Sequence, residues 1–298
     1  MALLCNDRGV RHVYQCPMRW ADLDLLGHVN NVVYVDYLQE ARVDMMRSHG
    51  PAVRGEGDEG LVEGVVVVRH QVSYRAPLTF RFRPISIECW VTEIRAASFT
   101  MAYEVFDETP EGRVVHLRAS TVLTPYVFST EHPRRLTHEE KKNLGTFLED
   151  PTAPASARID PVAPWEPADY PLHVRFSDVD AYGHVNNVKY FEYFQEARIP
   201  LMERLGREVG GAGDLHAVVA QTDVEYKAPI LFRLEPYDVT SRITQVGTKS
   251  FTIESEIRDG DALFSRARVV LVFFDSATQH SVEPPAAYRE AMLAAANA

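Results

Sequence analysis

Two short segments of this sequence bring carboxylates, an imidazole and side-chain amides together in one spacing. Each reads Asp-x-Asp-x-x-Gly-His-Val-Asn-Asn, the first loop at residues 22–31 and the second loop at residues 178–187. A carboxylate beside an electrophilic carbonyl can activate a water molecule or attack directly. The pattern therefore indicates acyl-transfer chemistry, and it does so twice in one chain.

The position of the loops strengthens this interpretation. Each loop lies where a predicted strand gives way to a predicted helix, and the amides at a helix N-terminus can stabilise an oxyanion on a carbonyl oxygen. Hydrolysis of a thioester needs little beyond such a carboxylate and such amides, because the thiolate leaves with little help from a general acid. Thioester hydrolysis is therefore a chemistry that such a loop could carry.

The residues of each loop divide into two groups. Four side chains bring a second carboxylate and an imidazole that stability alone does not explain, and we assign them to catalysis: Asp24, His28, Asp180 and His184. The others suit structural roles. Asn30 and Asn186 can cap helices, Asp22 and Asp178 can pair with Arg19 and Arg175, and Gly27 and Gly183 can permit a tight turn.

Metal binding is a weaker interpretation of the same loops. Asp-x-Asp-x-x-Gly matches the start of a calcium-binding EF-hand, but the fifth position holds Leu26 or Tyr182 and the twelfth holds Val33 or Lys189. Zinc would want further nitrogen or sulfur ligands. We expect neither a metal nor another cofactor.

The loops belong to a longer internal repeat. Residues 19–42 reappear as residues 175–198 with dense identity, and Tyr-Arg-Ala-Pro at residues 74–77 answers Tyr-Lys-Ala-Pro at residues 226–229. The offset is shorter at the second match, which predicts a small insertion around residues 50–60 of the first copy.

The element order around each loop predicts an α+β fold. A β-like segment precedes the loop at residues 12–20 and 172–176, and a helix at about residues 30–47 follows it, apolar on nearly every side and therefore expected to be buried. Segments rich in β-branched and aromatic residues come next, at residues 61–74, 85–94, 98–106 and 114–128, with counterparts running to Phe274. We expect an antiparallel sheet curled around one long central helix, twice.

Bulk properties fit two such domains. The chain has 298 residues, 46% of them hydrophobic, with a formal charge of −11, which disfavours nucleic-acid binding. It holds no apolar run long enough for a membrane helix and no signal-peptide pattern, so we expect a cytoplasmic protein. The three cysteines, Cys5, Cys16 and Cys89, have no metal or redox spacing and are expected to be free thiols.

The domain boundaries follow from composition. We expect a first domain at residues 1–149 that ends in a short helix at residues 137–148, where Thr137 and Glu140 stand in capping-box spacing. Residues 150–171 hold six prolines and are expected to form an extended linker. The second domain then covers residues 172–298 and ends in a C-terminal helix.

The loop, followed by two tyrosines and Glu-Ala-Arg, resembles the 4-hydroxybenzoyl-CoA thioesterase-type hotdog family, which includes acyl-ACP thioesterases. The resemblance implies the hotdog fold, pairing of two hotdogs within the chain as an internal pseudo-dimer, and an acyl-CoA or acyl-ACP substrate. The family's catalytic Asp matches Asp24 and Asp180, and the acyl-ACP branch's His matches His28 and His184. The sequence departs from that branch at Leu26 and Tyr182, where the branch has a catalytic Asn.

Substrate binding is assigned to the loop amides and to a basic patch that could offset the acidic charge: Asn30, Asn31, Asn186, Asn187, Arg75, Arg81, Lys227 and Arg233. Solvated strand-end charges are an equally good interpretation of the basic residues. A non-catalytic acyl-thioester binding protein is an alternative function. A hotdog hydratase or dehydratase is disfavoured, because the Asp-x-Asn-Pro-x-x-His pattern is absent. Acyl chain length and association between chains stay open.

Overall fold

A computed structural model of the protein describes residues 4–6, 9–49, 63–151, 158–163, 169–209, 216–275, 278 and 280–297. The chain divides into two compact units, Met1–Ser156 and Ala157–Ala298. No helix among the described residues has the length and apolar character needed to cross a membrane. The insertion expected around residues 50–60 and the side chain of Cys5 lie outside the described part.

The sheet of the first unit is antiparallel throughout. Its strands are β1 (Leu4–Asn6), β2 (Gly9–Cys16), β3 (Glu63–Tyr74), β4 (Ile85–Ile94), β5 (Phe99–Thr109), β6 (Gly112–Val127) and β7 (His132–Pro133). The order across the sheet is β2-β4-β5-β6-β3, with β1 on β2 and β7 on β6. Most strands that neighbour each other in the sheet also follow each other in sequence, as expected for antiparallel hairpins.

One long helix, α1 (Val33–His49), packs against β2 and β4. Its buried residues recur every three or four positions, as at Leu38, Ala41 and Met45. The opposite face is exposed, and Val43 retains 54% of its accessible surface. The helix is therefore buried or partly buried on most sides, and the expectation of burial fails only along one stripe that includes Val43.

A short helix, α2 (His138–Gly145), follows the sheet of the first unit. Thr137 Oγ1 accepts a hydrogen bond from the Glu140 amide at 3.1 Å, and the Glu140 carboxylate accepts one from the Thr137 amide at 2.7 Å. The predicted capping box is thus confirmed. Beyond the helix the chain runs beside β4, where the Val91 amide donates to the Phe147 carbonyl at 2.9 Å.

The second unit repeats this plan. Its elements are β8 (Asp169–Leu172), α3 (Lys189–Glu208), β9 (His216–Tyr226), β10 (Tyr237–Val246), β11 (Ser250–Asp259), β12 (Ala262–Asp275), β13 (His280–Ser281) and α4 (Ala286–Asn297). The sheet order β8-β10-β11-β12-β9 matches that of the first unit. Alternate residues of β12, among them Ala267, Val269 and Leu271, are buried, as expected for a strand with one face on the core.

The strands that precede the loops end earlier than predicted. Residues Trp20–Asp22 and Phe176–Asp178 form single 3-10 turns. The reason is the Asp at the end of each turn, whose carboxylate accepts the backbone amide of Arg19 or Arg175 and so draws it away from a strand ladder. The helix α1 likewise begins three residues later than expected, because Asn30 organises a turn before it.

The segment predicted as an extended linker is partly built into the second unit. Its last residues, Asp169 to Pro171, pair with β10 at the edge of the sheet, where the missing amide of Pro171 costs no ladder bond. Further back, Ile159 is buried, and the amide of Val162 donates to the Glu256 carboxylate at 3.2 Å. These contacts could not be predicted, since they join residues far apart in the chain.

Candidate active site

The first Asp of each loop has both carboxylate oxygens occupied. Asp22 accepts from the Arg19 amide at 2.8 Å, from Arg19 Nε at 2.9 Å and from the Tyr37 hydroxyl. Asp178 repeats this with Arg175 and with the Tyr193 hydroxyl, which lies 2.7 Å away. Each carboxylate is buried, at 2% exposure. The expected ion pairs with Arg19 and Arg175 are confirmed, and a saturated carboxylate of this kind supports the loop rather than a reaction.

The second Asp of each loop accepts hydrogen bonds from the turn that follows it. Asp24 Oδ1 accepts from the Leu26 amide at 2.9 Å and from the His28 amide at 3.2 Å. Asp180 Oδ1 accepts from the Tyr182 amide at 2.9 Å, and the Asp180 carboxylate also accepts from the His184 amide. Each carboxylate is thus oriented by the turn, and among the described residues no hydrogen bond reaches Oδ2 of Asp24, which remains available to a ligand.

A glycine makes this turn possible. Gly27 and Gly183 adopt φ angles of 75° and 80°, in the left-handed region that other residues enter at a cost. Their amides donate to the carbonyls of Asp24 and Asp180, at 3.1 and 3.0 Å. The turn therefore folds the His amide back onto the same Asp, which brings the two predicted catalytic residues together.

Burial raises the pKa of Asp180 in the second loop. The Tyr182 amide, the charge of the His184 ring and the His184 amide act in the opposite direction. When the pKa of a carboxyl group is raised, it comes closer to the pKa of an effective general base at neutral pH. The opposing contribution of His184 also indicates that its ring lies close enough to Asp180 to interact with it.

The Asn pair closes the loop onto the helix. Asn30 Oδ1 accepts from the Val32 amide at 3.3 Å and Asn186 Oδ1 accepts from the Val188 amide, also at 3.3 Å, so both close a turn just before the helix. The N-cap of α3 is Val188, which has no side-chain cap hydrogen bond, so the expected capping role of Asn186 was wrong. The carbonyl of Asn31 accepts the Tyr74 hydroxyl at 2.8 Å. The amide of Asn31 has no acceptor among the described residues. That amide is a candidate donor for an oxyanion, while substrate binding by the Asn side chains stays a prediction.

A second segment supports each loop from the side. We call residues 76–81 the first strap and residues 228–233 the second strap. The Val29 amide donates to the Leu78 carbonyl at 2.8 Å, and His28 pairs with Thr79 as an isolated β-bridge. In the second copy the Val185 amide donates to the Ile230 carbonyl at 2.9 Å. The straps thus fix the backbone of the residues that carry the two imidazoles.

Buried tyrosines join strap, loop and helix, and the sequence analysis assigned none of them a role. Tyr190 on α3 accepts the Ile230 amide at 3.1 Å, and the Tyr226 hydroxyl donates to the Asn187 carbonyl at 2.7 Å. Their counterparts in the first unit are Tyr34 and Tyr74, which pack edge to face. The available signal was their identity between the two copies in otherwise divergent surroundings.

The predicted basic patch does not form as a set of uncommitted cations. Arg81 pairs with Asp107, Lys227 pairs with Glu225 at 2.6 Å, and Arg233 pairs with Asp259. The Arg75 side chain is exposed just before the first strap. Phosphate binding by these four residues stays a prediction, and for three of them it would require an existing ion pair to open.

Neither described cysteine is suited to act as a nucleophile. Cys16 and Cys89 are free and buried, and burial raises the pKa of Cys16 to about 12 and raises that of Cys89 as well. Only the thiolate is nucleophilic, so both remain unreactive at neutral pH.

Large apolar side chains flank each loop in the open. Around the first loop, Trp20 is 73% exposed and packs edge to face with Phe80 of the strap at 5.4 Å. Around the second, Phe176 is 78% exposed and packs on Phe232 at 5.6 Å. Exposed apolar groups beside polar ones commonly mark a surface that binds something.

Known proteins were compared with the whole chain. The family model of the thioesterase-like superfamily matches residues 18–162 and again residues 174–294. The chain belongs to the thioesterase-like superfamily. The two matches cover both units, as the internal repeat requires.

Similar proteins agree with this membership. The uncharacterized protein YsmA of Bacillus subtilis is 31% identical over 105 residues, which span 34% of this chain and 68% of that protein. An acyl-ACP thioesterase from Bacteroides thetaiotaomicron superposes with a TM-score of 0.66 at 16% identity, covering 88% of this chain and 97% of the other. The 12:0-ACP thioesterase from Umbellularia californica gives 0.68 at 15% identity, covering 88% and 93%.

At such identities the two solved structures speak for the fold alone. They confirm two hotdog domains in tandem, each an antiparallel sheet packed on a long helix. Membership of the superfamily supports thioester hydrolysis as the class of activity. The catalytic and binding assignments of individual residues rest on the geometry described above and stay predictions.

Proposed function

We propose that this member of the superfamily hydrolyses acyl thioesters, with acyl-CoA or an acyl carrier protein as donor, at both loops. The observation that carries the proposal is the contrast within each loop between two carboxylates. Asp22 and Asp178 are saturated with donors, whereas Asp24 is held by Oδ1 and offers Oδ2, and Asp180 is bound by amides of its own turn alone among the described residues. A carboxylate fixed in this way can accept a proton from water without first breaking a bond to the protein.

The reaction follows from these atoms. Oδ2 of Asp24 takes a proton from a water molecule as the water oxygen attacks the thioester carbon. The amide of Asn31 donates to the oxyanion that forms, in the manner of an oxyanion hole. The intermediate then collapses, the carbon–sulfur bond breaks, and the thiolate leaves and takes up a proton. His28 orients the water or the carbonyl. In the second loop, Asp180 takes the role of Asp24, and His184 takes the role of His28.

The same carboxylate could instead attack the thioester and form a mixed anhydride that water then opens. A single turnover in water carrying heavy oxygen separates the two routes. Direct attack by water puts the label in the released acid and leaves the enzyme unlabelled, whereas opening of the anhydride at the carboxyl carbon of Asp24 or Asp180 leaves the label in that carboxylate and releases unlabelled acid.

The substrate class is supported by the surroundings of the loops. The exposed rings of Trp20 and Phe176 offer apolar surface beside each carboxylate. The superposed solved proteins are named as acyl-ACP thioesterases. We therefore infer a fatty acyl chain as the acid and a pantetheine thiol as the leaving group.

The decisive experiment measures thiol release from a series of acyl-CoA esters by the wild-type chain and by the double variant D24N/D180N. Asn keeps an Oδ1 that accepts the turn amides, so the loops should keep their shape. We expect the rate to fall by at least about 100-fold. The matched control is D238N, which changes an exposed Asp on β10 and should release thiol as the wild type does.

Two results would overturn the proposal. Wild-type rates from D24N/D180N would remove both carboxylates from the reaction. Saturable binding of acyl-CoA by the wild type without any thiol release would favour the non-catalytic binding protein. The sequence is compatible with that alternative at Leu26, where the acyl-ACP branch has its catalytic Asn.

A further inference from the structure

Arg42 on α1 is buried in the first unit with part of its guanidinium unbonded. Only 6% of the residue is exposed, and its Nη1 has no hydrogen-bond partner in the described part of the chain. An arginine guanidinium carries five N–H donors and keeps its positive charge in proteins. A donor that is both buried and charged therefore has no acceptor among these residues.

The carboxylates of this region are bound to other groups. Burial raises the pKa of the Cys89 thiol, Arg42 acts against that rise, and the charges of Asp44 and Glu88 add to it. These two carboxylates are therefore within electrostatic reach of the same thiol. Asp44 is bound by His12 Nε2 at 3.0 Å, and Glu88 pairs with two other arginines at 3.0 Å each. Among the described residues, no carboxylate forms an ion pair with Arg42.

Polar side chains of the sheet lie next to the guanidinium. Burial raises the pKa of Tyr103, whereas the charge of Arg42 and hydrogen bonds with Arg42 and Thr121 act in the opposite direction. Thr121 Oγ1 in turn lies 2.8 Å from His70 Nδ1. Tyr103 is 1% exposed, and the other two sheet residues are fully buried. An anion beside Arg42 would thus meet a guanidinium and a tyrosine hydroxyl, both of which can donate hydrogen bonds.

The second unit builds the equivalent place differently. The counterpart of the buried arginine is Arg198, which is 8% exposed. Cys89 pairs with Tyr103 across β4 and β5, and Ser241 pairs with Ser255 across β10 and β11, so these pairs correspond in register. The two serine hydroxyls lie 2.8 Å apart and bond to each other. The inference below therefore concerns the first unit.

Charge and burial together define the ligand that this place would take. Burying a charge is costly unless a partner of opposite charge and hydrogen bonds offset the cost. One guanidinium offsets one negative charge, which favours a monovalent anion over phosphate or CoA. At 6% exposure, Arg42 can be reached only by a small ion. A halide and a small carboxylate share these properties.

We propose that the first unit binds a small monovalent anion, a halide or a carboxylate such as formate, at Arg42 Nη1 between α1 and the sheet. The ion accepts the Nη1 donor, offsets the buried charge and so stabilises the packing of α1 on the strands that carry Cys89 and Tyr103. Binding at this place is independent of the thioester hydrolysis proposed above, and it holds whether or not the loops turn over substrate.

The first test measures thermal unfolding of the wild-type chain at constant ionic strength, with sodium gluconate replaced stepwise by sodium chloride or sodium formate. Gluconate is too large to enter. The midpoint should rise by about 3 °C or more and reach a plateau with at least one of the two small anions, because a ligand that binds only the folded state stabilises it. An unchanged midpoint in all three salts would overturn the proposal.

Two variants attribute the response to the guanidinium. R42M keeps an unbranched side chain but removes the charge, so its midpoint should be the same in all three salts. In gluconate R42M should be at least as stable as the wild type, because an unpaired buried charge has been removed. The matched control is R47M, which changes an 82% exposed arginine on the same helix and should keep the wild-type response. An R42M chain that responds to the anions as the wild type does would contradict the assignment.

Crystals of the wild-type chain grown in sodium bromide or in sodium formate locate the ion. An anomalous peak from bromide, or density for formate, bonded to Arg42 Nη1 supports the proposal and tells a halide from a carboxylate. The same crystals decide the matter if R42M does not fold. A water molecule bonded to Nη1 in both crystals would overturn the proposal.

Discussion

The first and second loops agree in almost every hydrogen bond, whereas the straps that support them agree only in backbone. Both loops use a saturated Asp, a second Asp bound by the amides of its own turn, a glycine with positive φ and an Asn that accepts the amide two residues further on. The straps are supported at different backbone positions, through His116 at the Pro77 carbonyl in one unit and through Tyr237 at the Leu231 carbonyl in the other. The difference teaches that the loop geometry tolerates little variation, while its support can be built in more than one way.

One position inside the loops also differs without disturbing them. Leu26 and Tyr182 are each 36% exposed, and each contributes its amide to the Asp carboxylate through the backbone. Because the contact to the carboxylate comes from the backbone amide, it does not depend on which side chain stands here. The reaction proposed here therefore assigns roles to Asp and His and takes only a backbone amide from this position.

The largest effect expected on the comparison comes from the saturated carboxylates. D22A and D178A should each lower the free energy of unfolding of their unit by about 2–4 kcal/mol, because a buried tyrosine hydroxyl and an Arg lose their acceptor. If the loops are equivalent, the two losses should agree when each unit is followed by hydrogen exchange. A loss below about 1 kcal/mol in either unit would break the equivalence.

The loss of stability in D178A should depend on pH. Burial acts to raise the pKa of Asp178, but hydrogen bonds from Tyr193 and Arg175 outweigh it and leave the pKa lowered. A lowered pKa means that the stabilising contribution is present at neutral pH and is lost as the pH falls through the folded-state value. The difference between D178A and the wild type should therefore shrink in acid.

A smaller effect is expected from the glycines. G27A and G183A place a Cβ in the left-handed region, which costs about 1–2 kcal/mol per residue. Nothing lies within 4 Å of the added carbon at either position, so the cost should be one of backbone strain alone and equal in the two copies. Thermal unfolding measures it, and G145A at the end of α2, also with open space around it but with ordinary φ, is the matched control.

The smallest expected effect is a difference between the two loops in how their rates depend on pH in acid. D24N leaves turnover to the second loop, where Asp180 must be ionised to accept a proton. Since burial raises the pKa of Asp180, the rate should reach half its maximum at a pH above the ordinary Asp value of about 3.9. The profile of D180N gives the first loop for comparison, and circular dichroism at each pH excludes unfolding. A midpoint at or below the ordinary value would contradict the assignment.

Much of the fold could be predicted from the sequence because its signals are local. Strand β4 occupies the predicted residues 85–94, and the capping box at Thr137 forms as its spacing indicated. The ends of the strands before the loops could not be predicted, because the side chain of Asp22 competes for a backbone amide. The edge strand β8 was missed because the prolines of residues 150–171 suggested a linker. Its partner strand β10 is also far away in sequence.

The candidate site was predicted in part for the same reason. The loop residues are neighbours in sequence, so Asp24 and His28 could be recognised together. The commitments of Arg81 and Arg233 to Asp107 and Asp259 could not be predicted, since they depend on which strands meet. His116 carried no motif, and its contacts with Pro77 and Asp107 depend on which strands and loops meet in the fold.

The exposed ring beside the first loop makes the two copies optically distinct. Trp20 stands where the second copy has Phe176, which has no indole. Of the other tryptophans in the described chain, Trp90 is shielded at 4% exposure beneath the Arg11 guanidinium. A molecule that binds at the first loop should therefore change the emission of Trp20, whereas Phe176 offers no indole to report binding at the second loop. Among the described residues, the protein thus carries an intrinsic fluorescent reporter beside one loop and none at the equivalent position of the other.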